Sequence, residues 1–143
     1  MLLGEYRHVI DDKNRIAIPA KFRTRLKTGA VVTKGLDECL FLYPKGSWDE
    51  WAVRVSRLPI SQARSRAFSR MMLGGAMEVD VDKQGRIVLP DYLKAYAHLR
   101  KQVVITGLYD RIELWDAEQW VRYKSQTERD SGRIAETLAE MGV

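Results

Sequence analysis

Apolar residues along this chain come in short bursts separated by polar turns, a rhythm of strands more than of long helices. Glu5 to Ile10 mixes aromatic and β-branched residues and predicts a strand. Asp11-Asp-Lys-Asn14 predicts a turn, and Arg15-Ile-Ala-Ile18 resumes as a strand. Pro19 cannot donate to a sheet ladder, and its fixed φ suits a helix start, so Ala20 to Lys27 is expected to be helical, with Phe22 and Leu26 one turn apart. Ala30–Thr33 and Cys39–Tyr43 predict a hairpin around Gly35-Leu-Asp37. Ser47-x-x-Glu50 has the form of a capping box opening a helix that carries Trp48 and Trp51.

The same order then runs a second time. Asp11-Asp-Lys-Asn-Arg15-Ile-Ala-Ile-Pro19 matches Asp82-Lys-Gln-Gly-Arg86-Ile-Val-Leu-Pro90, with Arg15 and Arg86 separated by 71 positions. After one inserted residue the match continues: Gly35 aligns with Gly107 and Trp48 with Trp120, at an offset of 72. Two copies of one unit of about fifty residues indicate a duplicated domain or two half-domains around one core, in contrast to the many short repeats of a solenoid. Repeat two predicts strands Glu78–Val81 and Arg86–Leu89, a helix bearing Leu93, Tyr96 and Ala97, a hairpin from Val103 to Trp115, and a capping box Asp116-x-x-Gln119 leading to Trp120 and Tyr123. Asn14 and Gly85 hold one turn position, and both residue types tolerate positive φ. On that ground Asn14→Gly is expected to be nearly neutral and Gly85→Val damaging.

The expected organisation is a first repeat at 5–51, a linker region at 52–75 with a helix from Gln62 to Leu73 ended by Gly74-Gly75, a second repeat at 76–123 and a polar tail at 124–143. In the tail, Ser125 to Gly132 predicts a break and Ile134 to Met141 a short helix, the least ordered part of the chain.

Composition narrows the class. The chain has 143 residues, 45% of them hydrophobic and 30% charged, as in globular proteins. Net charge is +5, which permits a polyanionic partner. A lone Cys39 excludes an intrachain disulfide framework, and with only His8 and His98 beside it there is no zinc-ligand spacing. With no signal-like start and no long apolar run, a soluble cytoplasmic protein is expected.

The loops carry the leading candidate chemistry. Asp11 and Asp82 are expected to orient the turns, with Asn14 and Gly85 at the corner, while Arg15, Arg86, Lys13 and Lys83 reach outward. A planar guanidinium suits phosphate oxygens and the edge of guanine. The plainer alternative is an Asp–Arg pair that only braces a turn. Asp80-x-Asp82-x-Gln84-Gly85-x-Ile87, with Asp91 closing it, superficially resembles a calcium loop, but Gln84 replaces a ligand, the last ligand is Asp where Glu is expected, and strands flank it. Five arginines from Arg54 to Arg70, with no acid among them, read as a solvated or subunit-contact helix face. The four tryptophans read as packing residues, Cys39 as a small buried apolar residue, and His8 as a locally satisfied strand residue. No phosphate loop, nucleophile elbow or His-Glu-x-x-His is present, so nothing supports an enzyme.

The duplicated Asp-x-x-Gly/Asn-Arg-Ile-x-Ile/Leu-Pro motif, followed by Gly-Leu and Leu-Tyr-Pro or Leu-Trp, resembles the MraZ family from about Gly4 to Tyr123. Asn14 departs from the family's usual glycine. The resemblance implies an α+β, mainly β fold: two SpoVT/AbrB-like units in a swapped-hairpin, double-psi-like β-barrel with flanking helices. It also implies a nucleoid-associated transcriptional regulator of the division and cell-wall gene cluster. Such a protein forms a homo-oligomeric ring and binds double-stranded DNA at direct repeats near its own promoter through Arg15 and Arg86. No cofactor, metal, membrane or small-molecule substrate is implied. The rival expectation is an oligomeric protein-interaction or antitoxin-like scaffold that uses the same barrel without reading DNA.

Overall fold

The computed structural model describes residues 1–143. Eight strands and six α-helices alternate along the chain: β1 (Leu2–Val9), β2 (Arg15–Ala17), α1 (Ala20–Arg23), β3 (Ala30–Lys34), β4 (Leu40–Pro44), α2 (Lys45–Ser56), α3 (Ala63–Gly74), β5 (Met77–Val79), β6 (Arg86–Val88), α4 (Asp91–Tyr96), β7 (Gln102–Tyr109), β8 (Ile112–Asp116), α5 (Ala117–Arg129) and α6 (Ser131–Ala139). Six strands form one antiparallel sheet in the order β1-β7-β8-β4-β3-β5, and β2 pairs with β6 in a separate ribbon. The protein is thus α+β with a largely antiparallel sheet. Its ladder does not close into the expected barrel: β1 and β5 remain edges, because β2 and β6 pair with each other instead of extending the main sheet.

The pairing exchanges strands between repeats. β1 of the first repeat pairs with β7 of the second, and β5 of the second pairs with β3 of the first. Two central pairings join equivalent residues: Ile16 faces Ile87 in the ribbon and Phe41 faces Glu113 between β4 and β8. Antiparallel strands related by a twofold axis bring a residue opposite its own copy, so an approximate twofold passes through both points. The symmetry is incomplete, since β1 has eight residues and β5 three.

Alternation along the strands builds two cores. Val32, Leu40, Leu42, Val103, Ile105, Ile112 and Leu114 point to one face, where Ile16, Ile18, Ile87 and Leu89 of the ribbon segments cover them together with Phe22 and Leu93. Phe41, Tyr43, Val104 and Trp115 point to the other face and meet Val55 of α2 and Met72 of α3, rimmed by Trp48, Trp51, Phe68 and Trp120. Both faces being covered explains why β4 and β8 are buried at every position. Gly107 lies where β1 crosses: a Cβ there would stand 2.6 Å from the Leu2 backbone carbon, so only glycine admits the strand.

Some expected boundaries moved. The helix expected over Ala20–Lys27 is one α turn tightening into a 3-10 turn at Thr24–Leu26. The Ser47 capping box does not form: α2 starts at Lys45 behind Pro44, whose φ of −56° already suits helix entry. Asp116 does cap α5, accepting from the Gln119 amide at 3.3 Å. The break expected at Ser125–Gly132 shrinks to Asp130, because α5 runs helical to Arg129. Near its start Glu5 of β1 accepts from Trp120 Nε1 and Lys124 Nζ, which ties that helix to the sheet edge.

Ile16 and Ile87 are fully buried against each other on the twofold. Ile16→Ala and Ile87→Ala should each lower stability by about 2–5 kcal/mol. Because the two share one site, the double variant should lose less than the sum. Urea unfolding followed by circular dichroism checks both statements.

Candidate nucleic-acid interface

Each Asp-x-x-x-Arg loop is wound around its aspartate. Asp11 Oδ1 accepts from the amides of Lys13 and Arg15, both at 2.9 Å, and Oδ2 accepts from Arg15 Nε at 2.7 Å. Asp82 repeats the pattern with Gln84 N at 2.8 Å, Arg86 N at 2.9 Å and Arg86 Nε at 3.2 Å. One carboxylate therefore satisfies two turn amides and fixes the root of a guanidinium. In each arginine only Nε is used, so the terminal nitrogens have no acceptor within the chain and remain available as a fork. The arginine side chains are about 30% exposed, which keeps them at the surface while their stems pack.

The ribbon sets how the loops face. Ile16 and Ile87 point inward, so Arg15, Ala17, Arg86 and Val88 share the outward side. Arg15 stands opposite Val88 and Arg86 opposite Ala17. The two arginines are therefore diagonal neighbours, about 7–8 Å apart at the backbone. Val88 is exposed between them, and Lys13 and Lys83 stand exposed at the loop tips.

Two further bonds, one at each loop, tie the loops to the opposite repeat. Ile18 N donates to Gly85 O and Leu89 N to Asn14 O, both at 2.8 Å. Asn14 and Gly85 both adopt positive φ, 61° and 79°. Their surroundings differ. Asn14 Nδ2 donates to Asp91 at 2.6 Å, and Lys94 Nζ donates to Asn14 Oδ1 at 2.7 Å. Asn14→Gly is consequently not the neutral change that the turn geometry alone leads one to expect, since it deletes two bonds to α4. At Gly85 a Cβ would lie 2.2 Å from Cζ of Arg23, so any side chain there displaces that guanidinium.

Arg23 and Lys94 are loop neighbours that sequence reasoning passed over, and Asp91, read there only as the closing acid of a calcium-like spacing, is a third. Their signal was available: positions 23 and 94 are 71 apart and both hold cations. The other candidates stand away from any shared site. The arginines between Arg54 and Arg70 meet no carboxylate; Arg54 lies over the Trp51 ring at 5.1 Å, and Arg66 donates to Ile60 O at 3.0 Å. Trp115 is buried, and Trp48, Trp51 and Trp120 pack around the second core. Cys39 is fully buried and burial pushes its thiol up, so it is an inert packing residue. Burial, and next the charge of Arg23, pushes the pKa of His8 down. The oxygens of Asp82 are taken by the loop itself, which leaves the calcium-like spacing around it without its central ligand.

Hydrogen bonds, first of all from the Arg15 and Arg86 amides, hold Asp11 and Asp82 below the ordinary carboxylate value of 3.8. A depressed folded pKa stabilises the loop above 3.8, and this contribution is lost as pH falls through the folded value. Carbon-detected NMR titration should place both midpoints below 3.8, the ordinary value. Asp82→Asn should remove one titration and speed hydrogen exchange at the Arg86 amide.

No helix is long and apolar enough to cross a membrane. A family profile described as "MraZ protein, putative antitoxin-like" matches the chain twice, over residues 1–71 and 72–141. The chain is 45% identical over 141 residues to the "Transcriptional regulator MraZ" of Desulforamulus reducens, covering 99% of each protein. It is 44% identical to the protein of that name from Natranaerobius thermophilus and 43% to that from Clostridium acetobutylicum, over 143 residues and the full length of each. Matches of this length, spanning both copies of the arginine loop, show that the chain belongs to the MraZ family.

Proposed function

We propose that this protein is a sequence-specific DNA-binding transcriptional regulator, and that the outward face of the β2–β6 ribbon with its two loops is the surface that meets double-stranded DNA. The observation that carries the reading is the pair of diagonal arginines, each tied by its Nε to an aspartate with its terminal nitrogens unengaged. The relatives' name as transcriptional regulators agrees with it. The major groove of DNA admits a two-stranded ribbon, and a bidentate arginine matches the O6/N7 edge of guanine. Lys13 and Lys83 at the tips would take phosphates, and exposed Val88 would meet a thymine methyl.

The chemistry is recognition, with no bond made or broken. Asp11 and Asp82 pre-organise the forks, Asn14 and Gly85 allow the corner, and the buried isoleucines keep the ribbon's position fixed. A single ribbon offers a small footprint, so tight binding calls for several copies acting together. In this reading the protein is a homo-oligomer, a ring, whose loops meet direct repeats near its own promoter in the division and cell-wall cluster. It works in the cytoplasm at the nucleoid. The exchange of β1 and β5 between repeats fits a swapped-hairpin ancestry, with the ribbon lying over the sheet as the second layer of a double-psi-like barrel.

Arg15→Ala and Arg86→Ala should each weaken binding to the duplex upstream of its own gene. The cost is about 1–3 kcal/mol for each guanine edge that is no longer read. Folding should be little affected, because each aspartate keeps its two amide bonds. The double variant should nearly abolish binding. Gel shifts with the upstream duplex and a base-substituted copy, at two salt concentrations, separate base reading from phosphate grip. A folded double variant that binds like wild type would show that the ribbon face is not the DNA surface, and would point to the arginines between Arg54 and Arg70 instead.

A further inference from the structure

The two loops are built alike but neighboured differently. Positions 23 and 94 are equivalents, 71 apart, and each lies against the loop of the other repeat. Arg23 Nε donates to Ile18 O at 2.8 Å, and its guanidinium rests on the bare backbone of Gly85. Lys94 instead reaches the Asn14 amide, which Asp91 holds from its other side. At the position equivalent to Asp91 stands exposed Ala20. Three differences thus occur together. Where the corner has a side chain, an acid orients it and a lysine tip suffices. Where the corner is glycine, a guanidinium fills the gap and no acid accompanies it.

The consequence is electrostatic. Around the first loop, Lys13, Arg15 and Lys94 are balanced by Asp11, Asp12 and Asp91. Around the second, Lys83, Arg86 and Arg23 face Asp82 alone. Arg23 meets no carboxylate within ion-pair distance. Its charge is felt instead by His8. Arg23 lies against Gly85, the residue before Arg86 and two after Lys83, so a polyanion senses the excess as one patch.

We propose that Arg23 is a cross-repeat cation of the second loop's site, and that the DNA phosphate backbone is gripped chiefly there. The first loop, charge-balanced and tied to α4 through Asn14, presents the Arg15 fork in a fixed direction and adds little attraction. This assignment rests on the ribbon face being the DNA surface.

The test uses the full-length protein and a random-sequence DNA duplex, with affinity measured by fluorescence anisotropy across a salt series. Arg23→Gln should reduce the slope of log affinity against log salt by about 0.9 for each phosphate that is no longer neutralised. Ala20→Asp, which places beside the second loop's site the acid that Asp91 supplies beside Asn14, should reduce it likewise without replacing Arg23 on Gly85. Arg23→Lys should keep the wild-type slope, which separates charge from shape. The charge-neutral exchange of Asp91→Asn with Lys94→Gln should leave the slope unchanged. Thermal melts confirm folding; if Arg23→Gln fails to fold, Ala20→Asp decides alone. Wild-type slopes in folded Arg23→Gln and Ala20→Asp would overturn the assignment while leaving the ribbon reading intact. A slope lowered as much by the Asp91→Asn, Lys94→Gln exchange would overturn it too. Wild-type protein that binds no duplex at low salt would sink both.

Discussion

Everything on the outward face depends on the packing of Ile16 against Ile87. Each is the central residue of a three-residue strand, and neither strand has another full partner in the fold. Burying both side chains in the main core draws the two short strands together and pins them over the sheet. The loops then have no freedom to drift, because each is the turn that enters one of these strands. A ribbon this short would not persist in water by its own hydrogen bonds. The core beneath stabilises it, and the display of Arg15 and Arg86 is a by-product of where Ile16 and Ile87 must go.

The second constraint is the aspartate at the start of each loop. A turn of this kind leaves amides pointing inward with no strand to accept from them. Asp11 and Asp82 supply the acceptors, and the remaining oxygen takes an arginine Nε. The Asp–Arg brace and the outward-reaching arginine, which looked like rival readings of one motif, are compatible in the same residue. Nε holds the brace, and the terminal nitrogens are left over.

Duplication with exchange gives the loops a shared fate. Because β1 and β5 sit in the other repeat's half of the sheet, neither repeat holds its own core or its own loop environment. The residues that pack on each loop, Arg23 and Lys94, come from the opposite repeat. Divergence between the copies can then tune one loop without altering the other's backbone, as the Asn14 and Gly85 corners illustrate.

The sequence by itself determined the repeat, the order of elements, the positive-φ corners and the loop residues. Each of these follows from local chemistry: alternation, proline, turn amides and a constant offset. It also determined the inward isoleucines, since burial of every second residue in a strand is a local rule. Helix ends were less legible where two signals competed, as when Pro44 opened α2 before Ser47 could cap it, and where a polar stretch at Ser125–Arg129 proved helical on a surface that asks for no apolar face. Only the tertiary structure decided that β2 pairs with β6 apart from the open sheet, that the first strands are exchanged, and that Arg23 lies on Gly85 while Lys94 reaches Asn14. Those pairings join residues many tens of positions apart, 77 for Asn14 with Asp91 and 80 for Asn14 with Lys94. No local pattern can specify them, because they depend on how two cores, each buried on its own face of one sheet, close over one another.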